Sequence, residues 1–150
     1  MSAQVPLSFE DIEVGEEFVS PGRTVTEMDV VLFAGLSGDY NVLHTDAEHM
    51  KSSQFGERIA HGLLVLSIQQ GLVSRIAPEL VERPMTELGW KFRGPIKIGD
   101  TVHVVARVSD KRPADRPGWG ILTIERRVLN QRGEVVQEGK SEHLVERPLG

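Results

Sequence analysis

A chain of 150 residues with 39% hydrophobic and 26% charged side chains has the size and composition of one ordinary globular domain, long enough to fold without a disulfide or a metal. It has no cysteine, which excludes thiol nucleophiles, cysteine-ligated zinc and iron–sulfur clusters and fits a reducing compartment, so the cytoplasm is the expected location. A formal net charge of -5 argues against a nucleic-acid partner, because neutralising phosphates takes a concentrated basic face.

Taken in chain order, Met1-Ser2-Ala3-Gln4-Val5-Pro6 has no basic segment ahead of an apolar run, so no secretory signal is expected. A short strand is predicted near Glu17 to Val19. Thr26-Glu27-Met28-Asp29 opens a helix in capping-box fashion, and Met28, Val31, Leu32, Ala34 and Gly35 supply its periodic apolar positions. Gly38 tolerates the left-handed conformation that ends a helix, so Asp39 to Thr45 is expected to be an irregular loop. Asp46 is the N-cap candidate of a second short helix that reaches Met50. A third helix starts near Gly62. Its Leu63-Leu64-Val65-Leu66-Ser67-Ile68 is apolar nearly all round, which predicts burial on most sides. The apolar run from Ile59 to Ile68 is interrupted by His61, Gly62 and Ser67 and is far too short for a membrane span, so no membrane partner is expected.

Beyond residue 85 the period changes from 3.6 to 2. Strands are predicted over Met85 to Arg93, around Val102 to Val108, over Ile121 to Leu129 and over Val135 to Val145. Asn130-Gln131-Arg132-Gly133 should close a hairpin between the last two, while Pro95 and Gly99-Asp100 separate the first two. With no repeat or linker, residues 1-150 read as a single α+β domain, in which a meandering antiparallel sheet wraps one apolar helix and the earlier helices form an overhang. That is the hot-dog arrangement.

Two segments carry the chemistry. Ser37-Gly38-Asp39-Tyr40-Asn41-Val42-Leu43-His44-Thr45-Asp46 is followed, about 17 residues from His44, by His61-Gly62 at the start of the apolar helix. Asp39 and His44 are five residues apart, which on a helix would face different ways, so only a tight loop can converge them. Gly38 and Asn41 supply one. A carboxylate and an imidazole around one water can take its proton as its oxygen adds to an alkene carbon and deliver a proton to the next carbon. The sequence leaves open which group is base and which is acid. Alone, Asp39 would read as an Asx-turn residue and His44 as a satisfied loop histidine, and His61 as a helix-entry residue bonded to backbone.

These segments resemble the G-D-x-N-P-[LI]-H and H-G motifs of the MaoC-like dehydratase and (R)-specific enoyl-CoA hydratase family. Phe92-Arg93-Gly94-Pro95-Ile96-Lys97-Ile98-Gly99-Asp100 is similar to the family's F-x-x-P-[IV]-x-x-G-D stretch. Val42 stands where the family has proline. The resemblance implies a hydro-lyase acting on a 2-enoyl-CoA or 3-hydroxyacyl-CoA, with Asp39 and His44 catalytic. It implies that Asn41, His61 and the backbone N–H of Gly62 serve substrate binding, Gly62 as the oxyanion contact. It implies an acyl-CoA thioester as partner and no cofactor. A homodimer or larger homo-oligomer is expected because a single hot-dog domain exposes the edge of its sheet and the mouth of its ligand tunnel. No H-x-x-x-H pair argues for a metal site, and Gly35-Leu36-Ser37-Gly38 lacks the spacing of a serine-hydrolase elbow. Lys91, Arg93, Lys97 and Arg127 are candidates to grip CoA phosphates, whereas His49, His103 and His143 are expected to face solvent. Two alternatives are a hot-dog acyl-CoA thioesterase, disfavoured because no carboxylate lies between Gly62 and Ala77, and a non-catalytic acyl-CoA-binding module, disfavoured because Asp39 and His44 are both present.

Overall fold

The computed structural model describes residues 8–147, apart from the side chain of Glu79. In chain order the elements are β1 (Glu17–Val19), β2 (Arg23–Thr24), α1 (Glu27–Ser37), α2 (Val42–Thr45), α3 (Ala47–Met50), α4 (Gly62–Ile76), α5 (Pro78–Val81), β3 (Met85–Phe92), β4 (Thr101–Pro113), β5 (Trp119–Leu129) and β6 (Val135–Glu146). The alternating residues of the second half form the long strands. In β4, Val102, Val104, Ala106 and Val108 point inward and are all but fully buried, and in β5 Leu122, Ile124 and Val128 do the same. Leu64, Val65, Ile68, Leu72 and Val73 of α4 press on them. Each such side chain removed from water contributes roughly 1.5–3 kcal/mol, so the helix is held by its packing and not by its ends. An antiparallel sheet curled around one helix is the hot-dog fold.

The strand order is β1-β4-β5-β6-β3, with β2 also on β4, and this corrects the simple meander. β3 pairs with β6, on the far side of the sheet from β4. Residues 93–100 are a crossover, pinned where Arg93 and Gly94 donate to the Val136 carbonyl and Ala60 donates to that of Ile96. At its end Gly99 adopts φ 99°, and the buried Asp100 carboxylate accepts from the Lys97 N–H at 2.9 Å and from Gln131 Nε2 at 2.6 Å. The Gly99-Asp100 pair is therefore a turn lock that ties the crossover to the β5–β6 hairpin.

The helices depart from expectation in three ways. α1 has its capping box, with Asp29 N–H donating to Thr26 Oγ1 and Thr26 N–H to the Asp29 carboxylate, but only Val30 and Ala34 of it are buried. Met28, Val31 and Leu32 project to solvent because the helix stands off as an overhang and touches the body along one side. α4 likewise leaves an open edge, with Leu63 58% exposed and Ser67 and Gly71 beside it. α5 had no signal beyond Pro78 at its first turn.

Candidate active site

Gly38 terminates α1 in the left-handed region, φ 77°, and its N–H bonds the Ala34 carbonyl. The chain then reverses. Asp39 N–H donates to Ser37 Oγ at 3.1 Å, and the Asp39 carboxylate accepts from the Asn41 N–H at 3.3 Å, an Asx turn. Asn41 in turn caps α2, its Oδ1 accepting from Leu43 N–H at 3.0 Å. The expected irregular loop therefore ends at Asn41, and Val42–Thr45 is a single helical turn. That turn aims His44 inward, where it is 8% exposed. Val42 is the first residue of that turn, a position where the N–H has no helical partner and proline fits equally well, so the departure from the family pattern leaves the turn intact.

His44 is fixed on both faces. Its Nδ1 donates to the Ile59 carbonyl at 2.7 Å, and its ring stacks on His61 at 3.7 Å between centroids. The carbonyl can only accept, so the proton lies on Nδ1 and Nε2 presents its lone pair to the site. A second tie comes from Arg58, which donates to the His44 carbonyl at 3.3 Å while holding Glu27 of α1 in a two-pronged pair. The Nε2 atom lies 4.0 Å from the Asp39 carboxylate. That gap is too long for a direct hydrogen bond and short enough for both groups to hold one water. Asp39 is about half exposed, so the pair opens toward solvent on one side.

His61 is 2% exposed at the entry to α4, its Nε2 donating to the Asp39 carbonyl at 2.9 Å. By the same reasoning its Nδ1 carries the lone pair, and this atom is buried with no hydrogen-bond partner among the described residues. Asp39, His44 and His61 bring one ligating atom each within 4.8 Å of one another, a cluster that could hold a cation as well as a water. The sequence pattern had no H-x-x-x-H pair, and it is the loop that brings these three together.

Gly62 begins α4 directly after His61. Here no side chain caps the helix, so the first-turn N–H groups are left to other acceptors, at the positive end of a 15-residue helix. The glycine has a packing reason as well: a Cβ at this position would lie 2.8 Å from the Phe92 ring. Sequence reasoning missed the support beneath it. Gln137 of β6, 1% exposed, donates from Nε2 to the Gly62 carbonyl at 2.9 Å and accepts from Trp90 Nε1 at 3.0 Å. Only its inward place in the strand alternation could have flagged it.

The other candidates are not brought to the site. Arg93 pairs with Glu138 at 2.6 Å, Lys97 with Glu57 at 2.6 Å and Arg127 with Glu17 at 3.9 Å. Arg127 and Lys91 line a concavity of about 660 Å³ together with Glu17, Trp90, Arg107, Arg126 and Lys140, and neither Asp39 nor His44 borders it. His49 is exposed as expected and His103 is half-buried. His143 corrects the reading: it is wholly buried on the inner face of β6. Its Nε2 accepts from Ser141 Oγ at 2.9 Å, Nδ1 donates to the Arg83 carbonyl at 3.3 Å, and burial pushes its pKa below the usual imidazole value of 6.5. In a β-strand the next-but-one alternation, not polarity, decides which way a residue faces.

A hot-dog sheet whose central helix starts beside a loop-borne Asp/His pair defines a class of protein. The MaoC like domain matches residues 10–127, and the chain belongs to that family. It is 32% identical over 140 residues to an (R)-specific enoyl-CoA hydratase of Rhodospirillum rubrum, covering 91% of this chain and 90% of that one. It is 38% identical over 120 residues to Protein MaoC of Klebsiella aerogenes, covering 74% of this chain but 35% of the relative, so it spans about a third of that protein's length. A solved structure titled as a monoamine oxidase regulatory protein, from Archaeoglobus, superposes with a TM-score of 0.90 at 36% identity, over 99% of this chain and 100% of that chain.

Proposed function

We propose that this protein is a hydro-lyase that adds water to, or removes it from, a 2-enoyl-CoA, with Asp39 and His44 as its catalytic residues. The observation that carries this reading is the 4.0 Å separation of His44 Nε2 and the Asp39 carboxylate, with the Nε2 lone pair turned toward it. One water held between them gives up a proton to Nε2 as its oxygen bonds to C3. Electron density moves through C2 to the thioester oxygen, and the imidazolium returns the proton to C2 on the same face. The Asp39 carboxylate accepts a hydrogen bond from the water's other hydrogen, which stays on the oxygen as the product hydroxyl, and stabilises the imidazolium while it lasts. His61, stacked on His44 and bonded to the Asp39 carbonyl, keeps ring and carboxylate in register. The N–H groups at the start of α4, Gly62 first, are the donors for the developing oxyanion, a contribution of several kcal/mol when preorganised. Asn41 shapes the loop by capping α2 and is not a substrate contact in this reading.

The relatives named as hydratase and 3-hydroxybutyryl-CoA dehydratase support the substrate class. A homodimer follows from the sheet's edge: β3 pairs only with β6 among the described strands, and its Met85, Leu88 and Phe92 are each at least 40% exposed. Work in the cytoplasm without metal or cofactor completes the proposal. Many hot-dog thioesterases activate water with an acidic residue on the central helix, and α4 has none.

The test is turnover of crotonyl-CoA, followed by loss of the conjugated thioester absorbance. Asp39→Asn and His44→Ala should each lower kcat by roughly a thousandfold or more with the fold intact by circular dichroism. Full activity in either variant overturns the assignment, and release of free CoA without hydroxyacyl product makes the protein a thioesterase.

A further inference from the structure

Arg126 of β5 is 1% exposed and turned toward α4. Its Nη1 donates to Gln70 Oε1 at 2.6 Å and to Gln69 Oε1 at 3.4 Å, and its Nη2 approaches His143 Nε2 at 3.4 Å. Its Nε has no partner, and among the described residues no carboxylate pairs with it. Burial alone pushes its pKa down to about 10. A guanidinium taken out of water without an anion is costly and is seldom kept unless something completes it.

Its surroundings are polar where a channel for a plain hydrocarbon chain would be apolar. Gln69, Gln137, Ser141 and His143 are none of them more than 1% exposed, and they line the seam between α4 and β6. The seam begins at the active site, because Gln137 is bonded to the Gly62 carbonyl. Next along the inner face of β6 comes Gly139, the cross-strand partner of Arg126, where a Cβ would collide with the Gly89 carbonyl and the Trp90 ring of β3. The half-buried edge of α4 runs the same way through Gly62, Leu66 and Gln70, one turn apart each time. Eight residues of helix advance about 12 Å.

We propose that Arg126 is a specificity-determining residue that receives a carboxylate at the far end of the acyl chain, so that the preferred substrates are 2-enoyl thioesters of dicarboxylic acids. The proposal rests on the hydratase reading of Asp39 and His44. An extended chain advances about 3.5 Å for every three bonds, so the path of about 12 Å from Gly62 to Gln70 corresponds to roughly ten bonds, a chain of medium length. Gln70 swings off Nη1 as the carboxylate arrives, and the planar fork of the guanidinium takes both carboxylate oxygens.

The experiment compares kcat/KM of the full chain on 2-decenedioyl-CoA, its terminal methyl ester and 2-decenoyl-CoA. The diacid should be preferred over the ester by about a hundredfold, the scale of a buried charge pair losing one partner. Arg126→Met should abolish that preference while keeping or raising Tm, because an apolar side chain of similar volume replaces an unpaired buried charge. Arg126→Lys should retain part of it. Equal turnover of diacid and ester by the wild-type protein overturns the proposal and leaves the hydratase reading standing. An equal loss on all three substrates in Arg126→Met also overturns it, by giving the residue a purely structural role. No hydration of any of the three by a wild-type protein that turns over crotonyl-CoA overturns this assignment alone, and no turnover of crotonyl-CoA either overturns the hydratase reading with it.

Discussion

Gln137 makes the sharpest test of how the fold holds its central helix. The side chain is 1% exposed and joins three elements, donating to the Gly62 carbonyl of α4 and accepting from Trp90 Nε1 of β3, while itself on β6. Gln137→Ala removes both bonds and opens a gap between them. The Gly62 carbonyl keeps its place in the helix ladder, so its loss stands near the lower end of the range for a hydrogen bond, about 0.5–1 kcal/mol. Trp90 is only half-buried, and water can reach part of its debt, so its orphaned N–H costs about 1–2 kcal/mol. With the cavity, the variant should lose roughly 2–4 kcal/mol, which for a domain of this size lowers Tm by roughly 5–15 °C. Turnover should fall as well at temperatures where the variant is folded, because the first turn of α4 loses the strut that sets the distance from Gly62 to the Asp39–His44 pair. The assays are a thermal melt and kcat measured well below the melting range. A melt within a degree of wild type refutes the energetic argument. A lowered melt with unchanged kcat refutes the claim that Gln137 positions the helix.

Two further outcomes follow from the same structure. The pKa of His143 lies below its unfolded value of 6.5, chiefly through burial, so as pH falls the unfolded chain takes up the proton first. Stability from this group is full above about pH 6.5 and declines below it, so the urea midpoint should drop between pH 7.5 and pH 5, and His143→Gln should flatten that slope; an unchanged midpoint in the wild-type protein would contradict it. Because Asp39, His44 and His61 could hold a cation, prolonged dialysis against a chelator checks the metal-free mechanism: hydration should continue at its original rate, and a loss restored by a divalent cation would move the mechanism to a metal-bound water.

The long-range pattern of the sequence carried the architecture, and its failures have one physical origin. Period-2 alternation located β4, β5 and β6 and the side each presents, because the apolar residues of one face must be buried together whatever their partners. Strand order is not written that way. Nothing in Met85 to Phe92 distinguishes pairing with β4 from pairing with β6, and the answer lies in the crossover, where backbone bonds from residues 60, 93 and 94 decide it. For α1 the misreading is of the same kind: Met28, Val31 and Leu32 have helical spacing, yet exposure depends on what the helix stands against.

The site was legible for a different reason, and only in part. Asp39, Asn41 and His44 are joined by bonds within a few residues, from Ser37 to Thr45, so local chemistry suffices to converge them. What the loop could not reveal is the set of long-range partners that surround the pair: the Ile59 carbonyl bonded to His44 Nδ1, the His61 ring stacked on it, and Gln137 beneath Gly62. Each comes from 15 or more residues away, and the interactions |i−j| of 15, 22 and 75 for His44–Ile59, His61–Asp39 and Gln137–Gly62 measure that reach. Arg126 is the extreme case. In sequence it is one of two adjacent arginines on an alternating strand, and a single step of register separates Arg127, paired with Glu17 on the outer face, from a buried cation with no carboxylate beside it among the described residues. Strand register thus gives the two neighbours opposite surroundings, one an exposed ion pair and the other a buried guanidinium held by the side-chain carbonyls of Gln69 and Gln70.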